Sequence, residues 1–215
     1  MKQAVLITGA SGGIGLALAR IFAREGYDLV LVARNNNRLS MIKKELEEQH
    51  EIEVKIICKD LTIKDAPVEI FNELSQSSIP VEILVNNAGF GDFGLFAEAD
   101  WQKLNDMVQL NIVALMHMTK LFVKPMIERK NGKIMNVAST AAFQPGPWLS
   151  VYYASKAFVL SFSEALSKEL EGQGITVTAL CPGPTQTGFE SAASLETSRL
   201  FKTLKPAQAD DVAQF

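Results

Sequence analysis

Six short runs dense in Val, Ile and Leu alternate with longer stretches of helical periodicity. This alternation constrains the fold more than any other feature of the chain. The runs are Gln3–Thr8 (QAVLIT), Asp28–Ala33 (DLVLVA), Glu53–Cys58 (EVKIIC), Glu82–Asn86 (EILVN), Lys133–Ala138 (KIMNVA) and Thr176–Cys181 (TVTALC). A strand with one wet face alternates apolar and polar residues, whereas near-continuous apolar character marks strands covered on both faces. Between the runs, GIGLALARIFAREG and NNRLSMIKKELEEQ are amphipathic. Asp100–Arg129 and Val151–Glu171 carry the same helical period, with Asp100 suited to cap the first of them. Strands that alternate with helices predict a doubly wound α/β fold, a parallel sheet with helices on both sides. No repeat, low-complexity tract or linker divides the 215 residues, so 1–215 reads as a single domain. Gly and Pro cluster at Phe143–Trp148 and Pro182–Gly188, two loops expected at strand ends.

Composition narrows the function classes. Lys plus Arg is 21 against 24 Asp plus Glu, a formal net charge of −3, which gives no general attraction to nucleic acid or anionic membrane. The two cysteines, Cys58 and Cys181, are far apart, so neither a disulfide framework nor a zinc site is expected, and a reducing compartment fits. The opening MKQAVLITGA has one lysine and a short apolar run broken by glycine, unlike a secretory signal. No segment approaches the length of a membrane span on this reading, so the expected location is cytoplasmic. At the other end, KPAQADDVAQF reads as the opening of a helix with Asp210 or Asp211 in its first turn. A helix of about two turns buries little apolar surface. The native chain is therefore expected to continue past Phe215.

ITGASGGIG joins the first strand to the first helix, with Gly9-x-x-x-Gly13-x-Gly15 spacing. Glycines there let the backbone turn sharply and let a pyrophosphate approach the positive helix N-terminus. Structural turns use glycine too; the position between a buried strand and a helix is what points to nucleotide binding and a Rossmann-like domain. Dinucleotide folds that take NAD place a carboxylate at the end of the second strand. Here the sequence is LVARNNNRL, with Ala33, then Arg34 and no acid. The Arg34 guanidinium suits a 2′-phosphate, with Arg38 a helical turn away, so NADP(H) is favoured over NAD(H).

VYYASKAF sets Tyr152 and Tyr153 four and three residues before Lys156. Both spacings share one helix face, so either phenol can approach the lysine. A free tyrosine titrates near 10, and an adjacent ammonium is expected to lower that value and make the phenol a usable proton donor. Further polar residues, in DLT, LVNNAG, NVAST and at Asn111 in QLNIVAL, gather at the predicted carboxyl ends of strands or near them, where open α/β sheets bind ligands.

TGASGGIG, DLT, NNAG, NVAS, YASK with its preceding tyrosine, and CPGPTQT occur in this order. With them the sequence resembles the classical short-chain dehydrogenase/reductase family, from Thr8 to about Gly188. The resemblance implies an NADP-dependent oxidoreductase that moves hydride between NADP(H) and a small-molecule carbonyl/alcohol pair. The family pattern Tyr-x-x-x-Lys selects Tyr152 and leaves Tyr153 as a packing or pocket neighbour. By the same resemblance the catalytic set is Asn111, Ser139, Tyr152 and Lys156. Tyr152 is the acid in reduction and the base in oxidation, Lys156 lowers its pKa and bonds the nicotinamide ribose, and Ser139 polarises the carbonyl. Asn111 acts through the helix backbone and a bound water, in a relay from Lys156 to solvent. The implied cofactor contacts are Gly9, Ser11, Gly13, Ile14 and Gly15 in the turn, then Arg34, Asp60 and Leu61. Asn87, Ala88, Gly89, Tyr152, Lys156, Pro182, Gly183, Thr185 and Thr187 complete them. No metal is implied. Family members usually continue for several dozen residues that help form a homodimer or homotetramer, the assembly expected of the full-length chain.

Specificity is expected from three loops: GFGDFGLF, AAFQPGPWLS and a substrate loop of about 184–206. Their aromatic residues, Phe90, Phe93, Phe96, Phe143, Trp148 and Phe189, suit a hydrophobic ketone, aldehyde or acyl thioester. Two rival readings are an NADP(H)-binding sensor or scaffold without turnover, and a sugar-nucleotide epimerase. The first has no need of a proton donor, and the second needs a larger C-terminal domain.

Overall fold

The computed structural model describes residues 3–187 and 206–214. Six strands form one parallel sheet: β1 (Ala4–Thr8), β2 (Asp28–Ala33), β3 (Val54–Cys58), β4 (Val81–Asn86), β5 (Gly132–Val137) and β6 (Ile175–Leu180). Each lies within one residue of its predicted bounds. The order across the sheet is β3-β2-β1-β4-β5-β6. The chain winds outward from β1 to β3, returns to pair β4 with β1, and winds outward again. The reversal opens a crevice at the carboxyl ends of β1 and β4, where doubly wound folds bind ligands.

Helices α1 (Gly13–Arg24) and α2 (Asn36–Gln49) cover one face. The other face carries α3 (Ala66–Gln76), a rod built from α4 (Trp101–Val108) and α5 (Leu115–Arg129), and α6 (Ser150–Glu169). Alternate strand residues divide between the two cores, as the two-residue period requires. Ala4, Leu6, Val30 and Val32 pack on one side, and Val5, Ile7, Leu29 and Leu31 on the other, all fully buried. This two-sided burial is why β1 and β2 read as unbroken apolar runs.

Asp100 caps the rod as expected, accepting a hydrogen bond from Gln102 N at 2.8 Å. Between α4 and α5 the rod passes through a π-helical turn, Gln109–Ala114, which contains Asn111. From Trp101 to Arg129 the rod is 29 residues long, and by length and composition it is apolar enough to cross a membrane. The expectation that no segment approaches that length is corrected on this point. Scattered charges such as Lys103, Asp106 and Lys120 concealed it from a search for an uninterrupted apolar run. In the fold, Ala114, Met118, Phe122 and Met126 of this rod pack into the sheet core.

Near the end, β7 (Thr185–Gln186) pairs in parallel with β8 (Ala207–Gln208), and α7 (Ala209–Ala213) follows with Asp210 and Asp211 in its first turn, as the sequence predicts. Ala213 packs into the α1–α2 core. Most of the expected substrate loop, including Phe189, lies outside the described residues, as does Phe215.

Candidate active site

The cleft begins at the end of β1. Thr8 is buried, and its hydroxyl donates to Val85 O at 3.3 Å while accepting from Asn87 N and Ala88 N at 3.0 Å each. Asn87 Nδ2 returns a hydrogen bond to Thr8 O at 2.9 Å. The ends of β1 and β4 are thus knitted together below the glycine turn. Gly9 has φ +66°, and a Cβ there would stand 2.8 Å from Asn87 Nδ2 and 2.9 Å from Ala88 Cα. A Cβ on Gly15 would stand 2.5 Å from both Gly9 O and Asn87 Nδ2, so this glycine serves close packing of helix on strand. On Gly12 a Cβ would meet nothing within 4 Å, because its Cα faces the open cleft. Helix α1 starts at Gly12 with no side-chain cap and no acidic residue in its first turn. Its leading amides and positive end are therefore available to an anion. A phosphate-bearing nucleotide fits this cradle.

The cleft has a volume of about 490 Å³. Of the residues singled out in the sequence, Gly9, Ser11, Gly13, Ile14, Arg34, Asp60, Leu61, Asn87, Ala88, Gly89, Ser139, Tyr152, Lys156, Pro182, Gly183, Thr185 and Thr187 all line it. Gly15 and Asn111 stand behind the wall. At one end, Arg34 is exposed and reaches to 3.9 Å from Asp60 Oδ2. Asp60 Oδ1 closes a turn by accepting from Thr62 N and Oγ1. Arg38 Nε donates to Ser11 O at 3.4 Å, tying α2 to the glycine turn.

At the other end, Ser139 leaves β5 and starts a 3-10 turn, Thr140–Phe143, its Oγ accepting from Ala141 N at 3.1 Å. Tyr152 and Lys156 sit one above the other on α6, with Lys156 Nζ 5.8 Å from the Tyr152 ring centroid. Lys156 is buried, and Nζ donates to Val137 O at 2.7 Å. Burial pushes its pKa down to about 8, with Cys181 pulling weakly the other way. Tyr152 departs from expectation. Burial raises its pKa to about 12, opposed by a hydrogen bond from Ser139 and reinforced by Tyr153. Spacing from Lys156 predicts the opposite sign, because it carries no information on how much water the phenol loses in the cleft.

The Asn111 side chain ties the rod to the loop after β4 and to α6. Oδ1 accepts from Phe90 N at 3.1 Å, and Nδ2 donates to Phe90 O at 2.9 Å and to Ser155 Oγ at 3.0 Å. Ser155 Oγ in turn donates to Tyr152 O at 2.7 Å. The π turn is where the rod admits this residue, a common setting for functional side chains. Deeper still, Asn86 Nδ2 donates to Thr119 Oγ1 at 3.0 Å and to Asn136 Oδ1 at 2.9 Å. Asn136 Nδ2 donates to Ser163 Oγ at 2.9 Å, which joins β4 and β5 to α5 and α6.

Of the loop aromatics, Phe90 lines the cleft, and Phe93 packs with Leu149, Tyr152 and Tyr153 beside it. Phe96, Phe143 and Trp148 are exposed and do not line it, which corrects the expectation that they form the pocket. Aromatic content alone does not report which way a loop side chain faces. Residues that the sequence reading left out include Thr8, Asn35, Lys59, Gln144 and Leu149. Thr8 carries a legible signal, a hydroxyl at the end of a fully apolar strand just before the glycine turn.

Comparison with known proteins agrees with this geometry. The short chain dehydrogenase family model matches residues 3–197. Sulfoacetaldehyde reductase 2 of Chromohalobacter salexigens is 35% identical over 226 residues, covering 100% of this chain and 86% of that protein. Mouse 17-beta-hydroxysteroid dehydrogenase type 3 is 38% identical over 187 residues, but the match spans 60% of its length and 85% of this chain. Among solved structures, a short-chain dehydrogenase from Sphingobium yanoikuyae in complex with NADPH superposes with a TM-score of 0.91 at 33% identity, covering 99% of this chain and 81% of that one. With its fold, its glycine turn and its Ser139–Tyr152–Lys156 cluster, the chain belongs to the short-chain dehydrogenase family of oxidoreductases.

Proposed function

We propose that this protein is an NADP(H)-dependent reductase or dehydrogenase acting on a carbonyl/alcohol pair, with residues 1–215 holding both the cofactor and the catalytic groups. The observation that carries this reading is the meeting of Ser139, Tyr152 and Lys156 in one cleft with the glycine turn. The glycine turn and the α1 amides hold the pyrophosphate, and Asp60 and Leu61 flank the adenine end. Arg34, exposed and held only at 3.9 Å from Asp60, reads the 2′-phosphate, and no carboxylate ends β2 to bond a bare ribose. Solved relatives described as complexes with NADPH or NADP, from Sphingobium yanoikuyae and others, support the same preference.

When bound, the nicotinamide supplies or accepts the hydride. Ser139 holds the carbonyl oxygen in place, and Tyr152 gives that oxygen a proton in reduction and recovers it in oxidation. At neutral pH, Lys156 is protonated and Tyr152 neutral on the values above, the state a proton donor needs. Asn111 and Ser155 fix the backbone of Tyr152 and of Phe90, so the acid and the substrate loop keep one geometry. The apolar walls at Phe90 and Leu149 favour a substrate with a hydrophobic body. A cytoplasmic location and a homodimeric or homotetrameric assembly complete the proposal.

The test follows NADPH absorbance with a panel of ketones, aldehydes and acyl thioesters. Tyr152→Phe should abolish turnover while NADPH still binds; undiminished turnover would remove Tyr152 from the mechanism. Arg34→Ala should weaken NADPH far more than NADH, and equal losses would mean that Arg34 does not read the phosphate.

A further inference from the structure

A second phenol stands beside the first. Tyr153 lines the cleft, its ring centroid 6.1 Å from that of Tyr152 at an interplanar angle of 75°. The circumstances of the two phenols differ. The Tyr152 hydroxyl is engaged by Ser139, whereas among the described residues that of Tyr153 has no hydrogen-bond partner.

The Tyr153 ring is held in place from behind. A Cβ on Gly146 would lie 2.4 Å from Tyr153 Cδ2 and 2.5 Å from Cε2, so the ring lies flush against this glycine. Leu149 N donates to Gly146 O at 3.2 Å, and Tyr153 N donates to Leu149 O at 3.0 Å, which fixes the loop and the helix start to each other. Phe93 and Leu149 pack around the two rings. An apolar ring would fill this seat as well as a phenol does. What the phenol adds is a free donor and acceptor beside the proton-donating group.

We infer that Tyr153 reads a second oxygen on the substrate, so that the preferred substrates carry a hydroxyl or carbonyl one or two carbons from the reacting carbonyl. This deepens the reductase reading and rests on it. The hydrophobic body lies along Phe90 and Leu149, while the paired oxygens meet the paired phenols. A site built to bond such an oxygen discriminates against the analogue that lacks it, because the phenol is then left without a partner.

The experiment measures kcat/KM with NADPH for matched pairs: butanone against acetoin, and pentanone against methyl acetoacetate. Each is run with the wild type and with Tyr153→Phe. Intrinsic reactivity differs within a pair but is common to both enzymes, so the change in ratio between enzymes isolates the hydroxyl. The oxygenated-to-plain ratio should fall about five- to tenfold in Tyr153→Phe, the worth of one hydrogen bond. A purely structural role would lower both members together, and an unchanged ratio in both pairs would overturn the inference while leaving the reductase standing. No NADPH oxidation by the wild type with any of the four compounds would overturn the reductase reading as applied to such carbonyls, and this inference with it.

Discussion

Replacing Lys156 with methionine should alter how stability depends on pH. Nζ is buried, and its pKa falls from an ordinary 10.5 to about 8 because the charged form has lost its water. Between these two values the unfolded chain holds a proton that the fold has given up, so stability rises with pH in that window. Below about pH 8 both states are protonated and the fold carries the whole penalty, about 3 kcal/mol at neutral pH. Methionine matches the lysine stem in size and removes the penalty. It also leaves Val137 O without the 2.7 Å donor, a loss of about 1–3 kcal/mol that does not vary with pH. The variant should therefore be as stable as the wild type at about pH 7, or more so. Its advantage should shrink by about 2 kcal/mol by about pH 9.5. Urea unfolding at both pH values, with equal slopes for the two proteins, reads this directly. Cys181, which is weakly coupled to Lys156, should be replaced by serine in both proteins; the remaining titrating groups are then common to the pair and cancel. Parallel stability curves across this range would refute a buried lysine of depressed pKa.

Two glycines of the turn should fail in opposite ways. Gly15→Ala drives a methyl to 2.5 Å from Gly9 O and should lower stability by about 1–3 kcal/mol, seen as a lower melting temperature. Gly12→Ala meets no protein atom within 4 Å and should melt like the wild type while NADPH affinity falls, measured by fluorescence titration. Asn86→Ala strips donors from buried Thr119 and Asn136 and should destabilise by about 1–3 kcal/mol in the same melting assay. A variant with an unchanged melting point would show that the network is dispensable.

How much of this was legible depended on where the information resides. The six strands were, because burial on both faces writes itself into every residue of β1 and β2. The rod from Trp101 was too, since its cap and period are local. Helix α3 went unread because APVEIFNELSQ is short and opens with Ala-Pro, and the pairing of two-residue β7 with β8 has no local signature. The π turn leaves the apolar period almost unchanged, so the clamp of Asn111 on Phe90 could not be inferred from QLNIVAL. Partners such as Asn86 and Asn136 lie 50 residues apart, and only the fold brings them together. The sign of the Tyr152 shift failed for a related reason: desolvation is a property of the assembled cleft.

The seam between β1 and β4 also bears on how the molecule is made. Thr8 and Val85 are separated by 77 positions along the chain, yet their hydrogen bond helps to close the floor of the nucleotide cradle. Contacts of such separation carry a larger loop-closure cost than those within the β1–α1–β2 winding, and are expected to form after it. The glycine turn emerges from the ribosome well before the Asn87 that grips it. Nucleotide capture should thus report closure of the β1–β4 seam. In refolding, NADPH fluorescence should lag the far-ultraviolet helical signal, and a cell rich in the dinucleotide would trap each chain at the moment that seam closes.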